Sequence, residues 1–389
     1  MRAMVIGIRP DYAYAGSTEA WRRNNTYFAA NMGASFITRT LMRQFDAEYV
    51  DDFSDVRALR DRYDVCLLAL ATHIHRRRDV SPYVELLERL EMPTVALSLG
   101  IEDYRGECHL EDFELDPTIR RMLEIVSSRS RWIGVRGPHS AVALIRNGFD
   151  NVVPIGCPSM FSSLSPSLRI EKPRRFSNPL CVYHRSLVEA WRAFDGLPLL
   201  GQDFQDEAVF SDRLDHDALL HEKNRRFYQA YDPADVAGLL EMARGQAIFP
   251  ESFTDWLNTI RGHDLVIGPR LHGCIAALTG GIPALLVQRD LRTREMAEFF
   301  RIPGTTYEEL RRHSLQELFR QADFEPFNRS YRLRYGNYLR LLDECGLEHR
   351  LEPTPADNGG EMLYPRDDLN VVLGLMRDVY GRSATVSSR

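Results

Sequence analysis

The sequence predicts an α/β protein of two lobes, on three observations. Short apolar runs of strand length alternate with amphipathic segments of helix length, the pattern of parallel strands joined by crossover helices. That rhythm runs through the first half of the chain, breaks, and starts again in the second. The 389 residues, 44% apolar and 27% charged, are globular in composition and too many for one ordinary core.

The amino end opens on a strand at 4–8, an apolar run too short for the hydrophobic region of a signal peptide and followed at once by Arg9, Pro10 and Asp11. Further strands are expected at 65–71, 94–99, 132–135 and 152–155, with helices at 33–44, 82–90, 116–127 and 138–147. Residues 165–179 contain Pro166, Pro173 and the pair Arg174-Arg175, hold no sustained period and read as a linker. They divide an N-terminal lobe, 1–164, from a C-terminal lobe, 180–313. The second lobe is expected to place strands at 180–184, 197–200, 247–250, 264–268 and 284–287, and helices at 233–244, 253–261, 271–279 and 294–300. Over 314–389 the strand signals stop, and helical segments at 315–321 and 330–345 precede a polar tail at 383–389. A long helix crossing back to the first lobe would close the two-lobed shape.

A net charge of -6 and short basic runs such as Arg76-Arg77-Arg78 leave no surplus of cation for a phosphate backbone, so nucleic acid is set aside as a partner. No stretch is apolar over the roughly 18 residues a spanning helix needs, which leaves peripheral membrane association open. The six cysteines have no short paired spacing, so neither a zinc site nor a disulfide framework is suggested, and a reducing cytoplasm is expected. Neither a phosphate-binding loop motif nor a dinucleotide fingerprint is present, and no cofactor is expected.

The clearest local signal lies at 264–283, which reads as strand, turn, helix and stop: the strand ends at Gly268-Pro269, and Gly280-Gly281 with Pro283 ends the helix. Arg270 and His272 then sit at the carboxyl edge of a sheet beside a helix amino terminus, where free N–H groups and the helix dipole favour an anion. A guanidinium adds a bidentate clamp for phosphate or carboxylate, and a histidine can donate to the same anion or move a proton. An arginine paired with a carboxylate, beside a packed histidine, is the competing reading. Arg136 ends a second segment of the same build, in which Gly137-Pro138 opens a helix that Gly148 stops. The two arginines are expected to grip one anionic substrate from opposite lobes.

These segments carry a resemblance. Ser130-Arg131-Trp132-Ile133-Gly134-Val135-Arg136 with Ser140 and Leu144, then Ile155-Gly156-Cys157-Pro158-Ser159, and above all 264–283 with its Arg270-Leu271-His272 centre, resemble the polysaccharide pyruvyl transferases. The resemblance implies two Rossmann-like lobes in a glycosyltransferase-B-like fold. It also implies transfer of the enolpyruvyl unit of phosphoenolpyruvate, as a ketal, to a sugar or lipid-linked saccharide of an exopolysaccharide or cell-wall precursor. On that reading Arg270, Leu271 and Arg136 hold the donor, His272 moves a proton or stabilises phosphate, and no metal is required. The work would be done in the cytoplasm, with the inner membrane face left open. Two positions depart from the family pattern: Gly137 and Cys157 stand where members commonly carry Asp. A nucleotide-sugar-dependent glycosyltransferase of similar fold, or a family member that has lost catalysis, are the alternatives.

Other candidates follow from position at strand ends. Asp290 and Arg292 after the strand at 284–287 are expected to border the donor pocket, and Glu102 or Asp103 to act as base toward a sugar hydroxyl. His73 and His75 lie at alternate positions of a loop, and two histidines without a third ligand make a weak metal signal. Tyr12, Tyr14, Trp21 and Tyr27 are candidates for stacking on a sugar.

Overall fold

A computed structural model describes residues 1–10, 31–76, 79–101, 113–203, 206 and 226–354. Glu102, Asp103, Tyr12, Tyr14, Trp21, Tyr27 and the tail at 383–389 lie outside the described residues.

In the first lobe, β1 (Ala3–Ile6), β2 (Glu48–Tyr49), β3 (Val65–Ala69) and β4 (Thr94–Leu97) form a parallel sheet in the order β2-β1-β3-β4. β5 (Ile133–Val135) and β6 (Val152–Pro154) form a second parallel pair, joined to the first sheet through a bridge between Leu99 and Val135. The crossovers are α1 (Met32–Phe45), α2 (Val56–Arg62), α3 (Ser81–Leu90), α4 (Pro117–Arg129) and α5 (Pro138–Arg146). Strands β1, β3 and β4 are buried along their whole length, as sheets covered by helices on both faces require.

The second lobe repeats the plan. β7 (Pro179–Val182), β8 (Leu199–Leu200), β9 (Ala247–Ile248), β10 (Leu265–Gly268), β11 (Ala284–Val287) and β12 (Gly304–Thr305) lie parallel in the order β12-β11-β10-β7-β8-β9. The order reverses between β7 and β10, so the loops after these two strands leave in opposite directions and open a crevice at their carboxyl ends. The helices are α6 (Pro233–Gln246), α7 (Phe253–Arg261), α8 (Leu271–Thr279), α9 (Leu291–Phe300), α10 (Tyr307–Arg312) and α11 (Leu315–Gln321).

After these, α12 (Glu325–Glu344) returns to the first lobe: Tyr338 Oη donates to Gln44 Oε1 at 2.8 Å, and Trp132 Nε1 donates to Glu344 Oε2 at 2.7 Å. One apolar core runs across both lobes, taking in Val5 and Leu67 from the first sheet, Val182 and Val266 from the second, and Phe36, Trp256, Leu271 and Tyr338 between them. Phe36 of α1 meets the rings of Phe253 and Trp256 of α7 at centroid distances of 5.9 and 6.2 Å. No helix among the described residues is long and apolar enough to cross a membrane.

Candidate active site

β5 delivers Arg136 to the crevice. Its backbone N–H continues the sheet onto the Leu99 carbonyl at 2.8 Å, and its side chain is fully buried, with Gly100 close against the aliphatic stem. Nε donates to Ser98 Oγ at 3.2 Å, whereas among the described residues neither Nη1 nor Nη2 has a hydrogen-bond partner. Burial lowers the guanidinium's pKa, and Arg292 pushes in the same direction. A cation left this way inside a protein is costly, unless something anionic completes it.

β10 delivers the second half of the site. Gly268 takes φ 149°, and a Cβ there would lie 2.5 Å from the Val182 carbonyl, so only glycine lets the strand end this close to β7. The chain then turns through Pro269 and Arg270 into α8, whose amino terminus receives no side-chain cap. The first amides of α8, those of Leu271, His272 and Gly273, have no carbonyl within the helix to bond to. They form an anion-favouring end beside His272.

His272 is 6% exposed, and its Nε2 lies 3.7 Å from Cys157 Sγ. Burial, reinforced by the charges of Arg136 and Arg292, holds its pKa well below the usual value, so the imidazole is neutral around pH 7. Cys157 Sγ also accepts from Ser98 Oγ at 3.3 Å and contacts Ser159 Oγ at 3.0 Å, so Arg136, Ser98, Cys157 and His272 form one connected chain from both lobes. The structure thus brings Arg136 and His272 into one cluster through Ser98 and Cys157.

Arg270 is placed differently from the expectation of a guanidinium open to substrate, because three protein groups already take it. Nη2 reaches Asp206 Oδ1 and Oδ2 at 2.5 and 2.6 Å, Nη1 reaches Asp203 Oδ2 at 2.8 Å, and Nε donates to the Tyr183 carbonyl at 3.0 Å. Burial opposes the charge, but the two carboxylates outweigh it and raise the arginine's pKa. Asn31, at the N-cap of α1, donates to the same Asp203 at 3.3 Å, and Met32 N–H bonds to the Gln202 carbonyl at 3.0 Å. Arg270 thus anchors the loop after β8 on which the first lobe docks. Leu271, 1% exposed, packs in the shared core.

Asp290 is the N-cap of α9. Its carboxylate accepts from Thr293 N at 2.9 Å and from Arg289 Nη2 and Arg292 Nη2 at 3.0 and 3.3 Å. Burial works to raise its pKa, but the two arginines and the cap donors outweigh burial and hold it below the usual carboxylate range. Its oxygens are occupied by protein; it aims Arg289 and Arg292. Arg292 is about one-fifth exposed, with Nε unpartnered among the described residues, and borders the site beside His272. His73 accepts the Ala71 N–H at 3.0 Å and meets the ring of Tyr83 edge-on. Among the described residues no three His, Cys, Asp or Glu side chains gather as a metal set.

Two features were not anticipated from sequence. One is the Asp203 and Asp206 pair described above. The other is Glu295 of α9, 1% exposed, whose carboxyl burial pushes up to about 7 against the pull of Ser140 and Arg136. A signal for it exists: Leu291, Glu295 and Phe299 share one face of α9, so an acid stands on an otherwise apolar stripe.

Among solved structures the chain is similar to a Listeria monocytogenes protein described as a UDP-N-acetylglucosamine 2-epimerase, at 11% identity, with 91% of this chain and 99% of that one covered and a TM-score of 0.42. It is similar to an Anabaena protein bound to UDP and glucose, at 11% identity, 89% and 95% coverage and a TM-score of 0.41. It is also similar to the UDP-GlcNAc 2-epimerase of Methanocaldococcus jannaschii, at 10% identity, 81% and 82% coverage and a TM-score of 0.38. At such low scores, fold and site stand on the chain's own strands and side chains. No curated protein matches the chain. The family model for polysaccharide pyruvyl transferase matches residues 31–290, from the cap of α1 to the cap of α9. That match takes in more than half of the sequence and every side chain of the Arg136–Ser98–Cys157–His272 chain, and on it the protein belongs to the polysaccharide pyruvyl transferase family.

Proposed function

We propose that the chain moves the enolpyruvyl unit of phosphoenolpyruvate onto two hydroxyls of one sugar as a ketal. The observation that carries this reading is Arg136: a fully buried guanidinium with both terminal nitrogens unpartnered among the described residues, next to the uncapped end of α8. Such a pair suits a small ligand with two anionic groups. Arg136 takes one group in a bidentate grip, and the amides of Leu271 and His272 with the nearby Arg292 take the other. Arg270, held by Asp203 and Asp206, positions the loop rather than touching the donor.

The methylene carbon of the donor takes a proton, leaving a cationic centre at the carbon that bears carboxylate and phosphate. A sugar hydroxyl adds to that carbon and gives up its proton. The bond to the phosphate oxygen breaks, phosphate leaves with the electron pair, and a second hydroxyl adds and loses its proton to close the ring. His272, neutral because burial and two arginines disfavour its charge, suits the role of an N–H donor to the departing phosphate, and it can take a hydroxyl proton only while the bound donor's negative charge offsets those arginines. Fixed positive charge at Arg136 and Arg292 stabilises the departing phosphate. The acceptor on this reading is a sugar of an exopolysaccharide or cell-wall precursor, free or lipid-linked, met at the cytoplasmic side.

Calorimetric titration of phosphoenolpyruvate into the full chain, with a uridine-diphosphate sugar as comparison ligand, tests the donor. Binding of phosphoenolpyruvate alone supports the reading. Binding of only the nucleotide sugar, or of neither, removes it. Phosphate release, with an acceptor mass gain of one pyruvate less one water, then separates a working transferase from a protein that binds without turnover.

A further inference from the structure

The helix that follows Arg136 begins without a cap of its own. Gly137 stands at the N-cap of α5 and has no side chain to accept from the first amides. The acceptor comes from the other lobe: Glu295 of α9 takes the Ser140 N–H on Oε1 at 2.7 Å and the Ser140 Oγ–H on Oε2 at 2.9 Å. Ser140 is the third helical residue, whose amide an N-cap Asp or Ser ordinarily binds. The contact is sealed, since Glu295 is 1% exposed, Ser140 is fully buried, and the Ile101 N–H donates to Ser140 Oγ at 3.0 Å. Gly137 makes the room: a Cβ there would lie 2.4 Å from Glu295 Cγ and 2.8 Å from its carboxyl carbon. At φ −174° the backbone of Gly137 is extended, which any residue adopts, so space alone demands glycine.

We propose that Glu295 is a positioning residue for the donor site, capping α5 from the opposite lobe in place of the side-chain cap that Gly137 cannot supply and so fixing Arg136, the residue before the cap. The role rests on the reading of Arg136 as the donor's anion ligand. It also explains why the two strand-end helices differ. The amino terminus of α5 is filled by a protein carboxylate, whereas that of α8 has no side-chain cap, so a substrate anion is directed to α8 and to the Arg136 guanidinium. Because the cap crosses the lobes, Arg136 is set only when α9 lies against α5.

Four proteins test this: wild type, Glu295→Ala, Gly137→Asp, and the double variant that moves the carboxylate from one lobe to the other. Ser140 amide exchange reads the cap without ligand, and calorimetry with phosphoenolpyruvate reads the positioning. Each single change is expected to speed Ser140 exchange and weaken donor binding by about tenfold or more, one by removing the cap and the other by collision. In the double variant the introduced aspartate is free to accept from Ser140 in the vacated space, and both readouts are expected to return to within about threefold of wild type. Should Glu295→Ala fail to fold, Glu295→Gln, which keeps the volume and one acceptor, serves with an intermediate loss expected. A double variant that exchanges no more slowly than the worse single overturns the cap. Restored exchange with donor binding still lost overturns the positioning role. If the wild type binds no phosphoenolpyruvate, the donor reading fails and takes the positioning role with it, while the exchange data still report separately on the cap.

Discussion

Replacing Arg136 by methionine separates a ligand-holding charge from a structural one. Methionine keeps the length of the stem that lies against Gly100 and removes a guanidinium whose Nη1 and Nη2 have no partner among the described residues. Removing a buried unsatisfied polar group relieves a penalty of about 1–3 kcal/mol, so the ligand-free variant is expected to unfold at the same temperature as wild type or higher. On the proposed reading the donor loses two charge-assisted hydrogen bonds at roughly 1.5–3 kcal/mol each, about 3–6 kcal/mol together, and phosphoenolpyruvate binding is expected to weaken by roughly 10²- to 10⁴-fold. Differential scanning fluorimetry without ligand and calorimetry with it measure both halves. A variant that melts several degrees lower yet binds phosphoenolpyruvate almost as wild type does would refute the reasoning, because Arg136 would then be a structural cation.

Arg270→Met is expected to behave in the opposite way. It strands Asp203 and Asp206 without their cation, a loss of about 3–5 kcal/mol in denaturant unfolding, and a loss under 1 kcal/mol would remove this network from the stability of the fold. Gly33→Ala drives a Cβ to 2.7 Å from His272 Cβ and 2.6 Å from Gln202 Nε2, and is expected to cost about 1–3 kcal/mol and to weaken donor binding, read by unfolding and calorimetry together. His272 has a lowered pKa, so its contribution to stability is present above the unfolded value of about 6.5 and is lost as pH falls below it. Between pH 6.5 and 5.5 the wild type should therefore lose about 1 kcal/mol more than His272→Gln, and parallel unfolding curves across that interval would show an imidazole that charges freely.

The sequence made the long elements legible and the short ones not. β3 and β10 are continuous apolar runs, α8 lies between Gly268-Pro269 and Gly280-Gly281, and each appears within two residues of its expected ends. β2 and β12, two residues each, and the short helices α2 and α10 are too brief to establish a period. The site divides in the same way. Arg136 and His272 end or follow strands that the sequence marks, so their approach to one crevice could be read from the fold rule alone. What each arginine touches could not. Asp203 and Asp206 are far from Arg270 in sequence, and nothing in the local pattern pairs them, so the better-marked arginine is the one already bound to protein. Glu295 was not legible because its partner, Ser140, lies 155 residues away in the other lobe.

The apolar core shared by the two sheets sets how such a chain can be recombined. Phe36, Trp256, Leu271 and Tyr338 come from four helices drawn from both ends of the sequence, and all four are buried in one cluster. A graft that exchanges one lobe for a homologue's at the linker expected over 165–179 would bring half of that core without its complement, so acceptor preference is better transplanted through crevice loops than through whole lobes. Inheritance of new specificity in this architecture is then expected to proceed by loop replacement on a jointly packed frame.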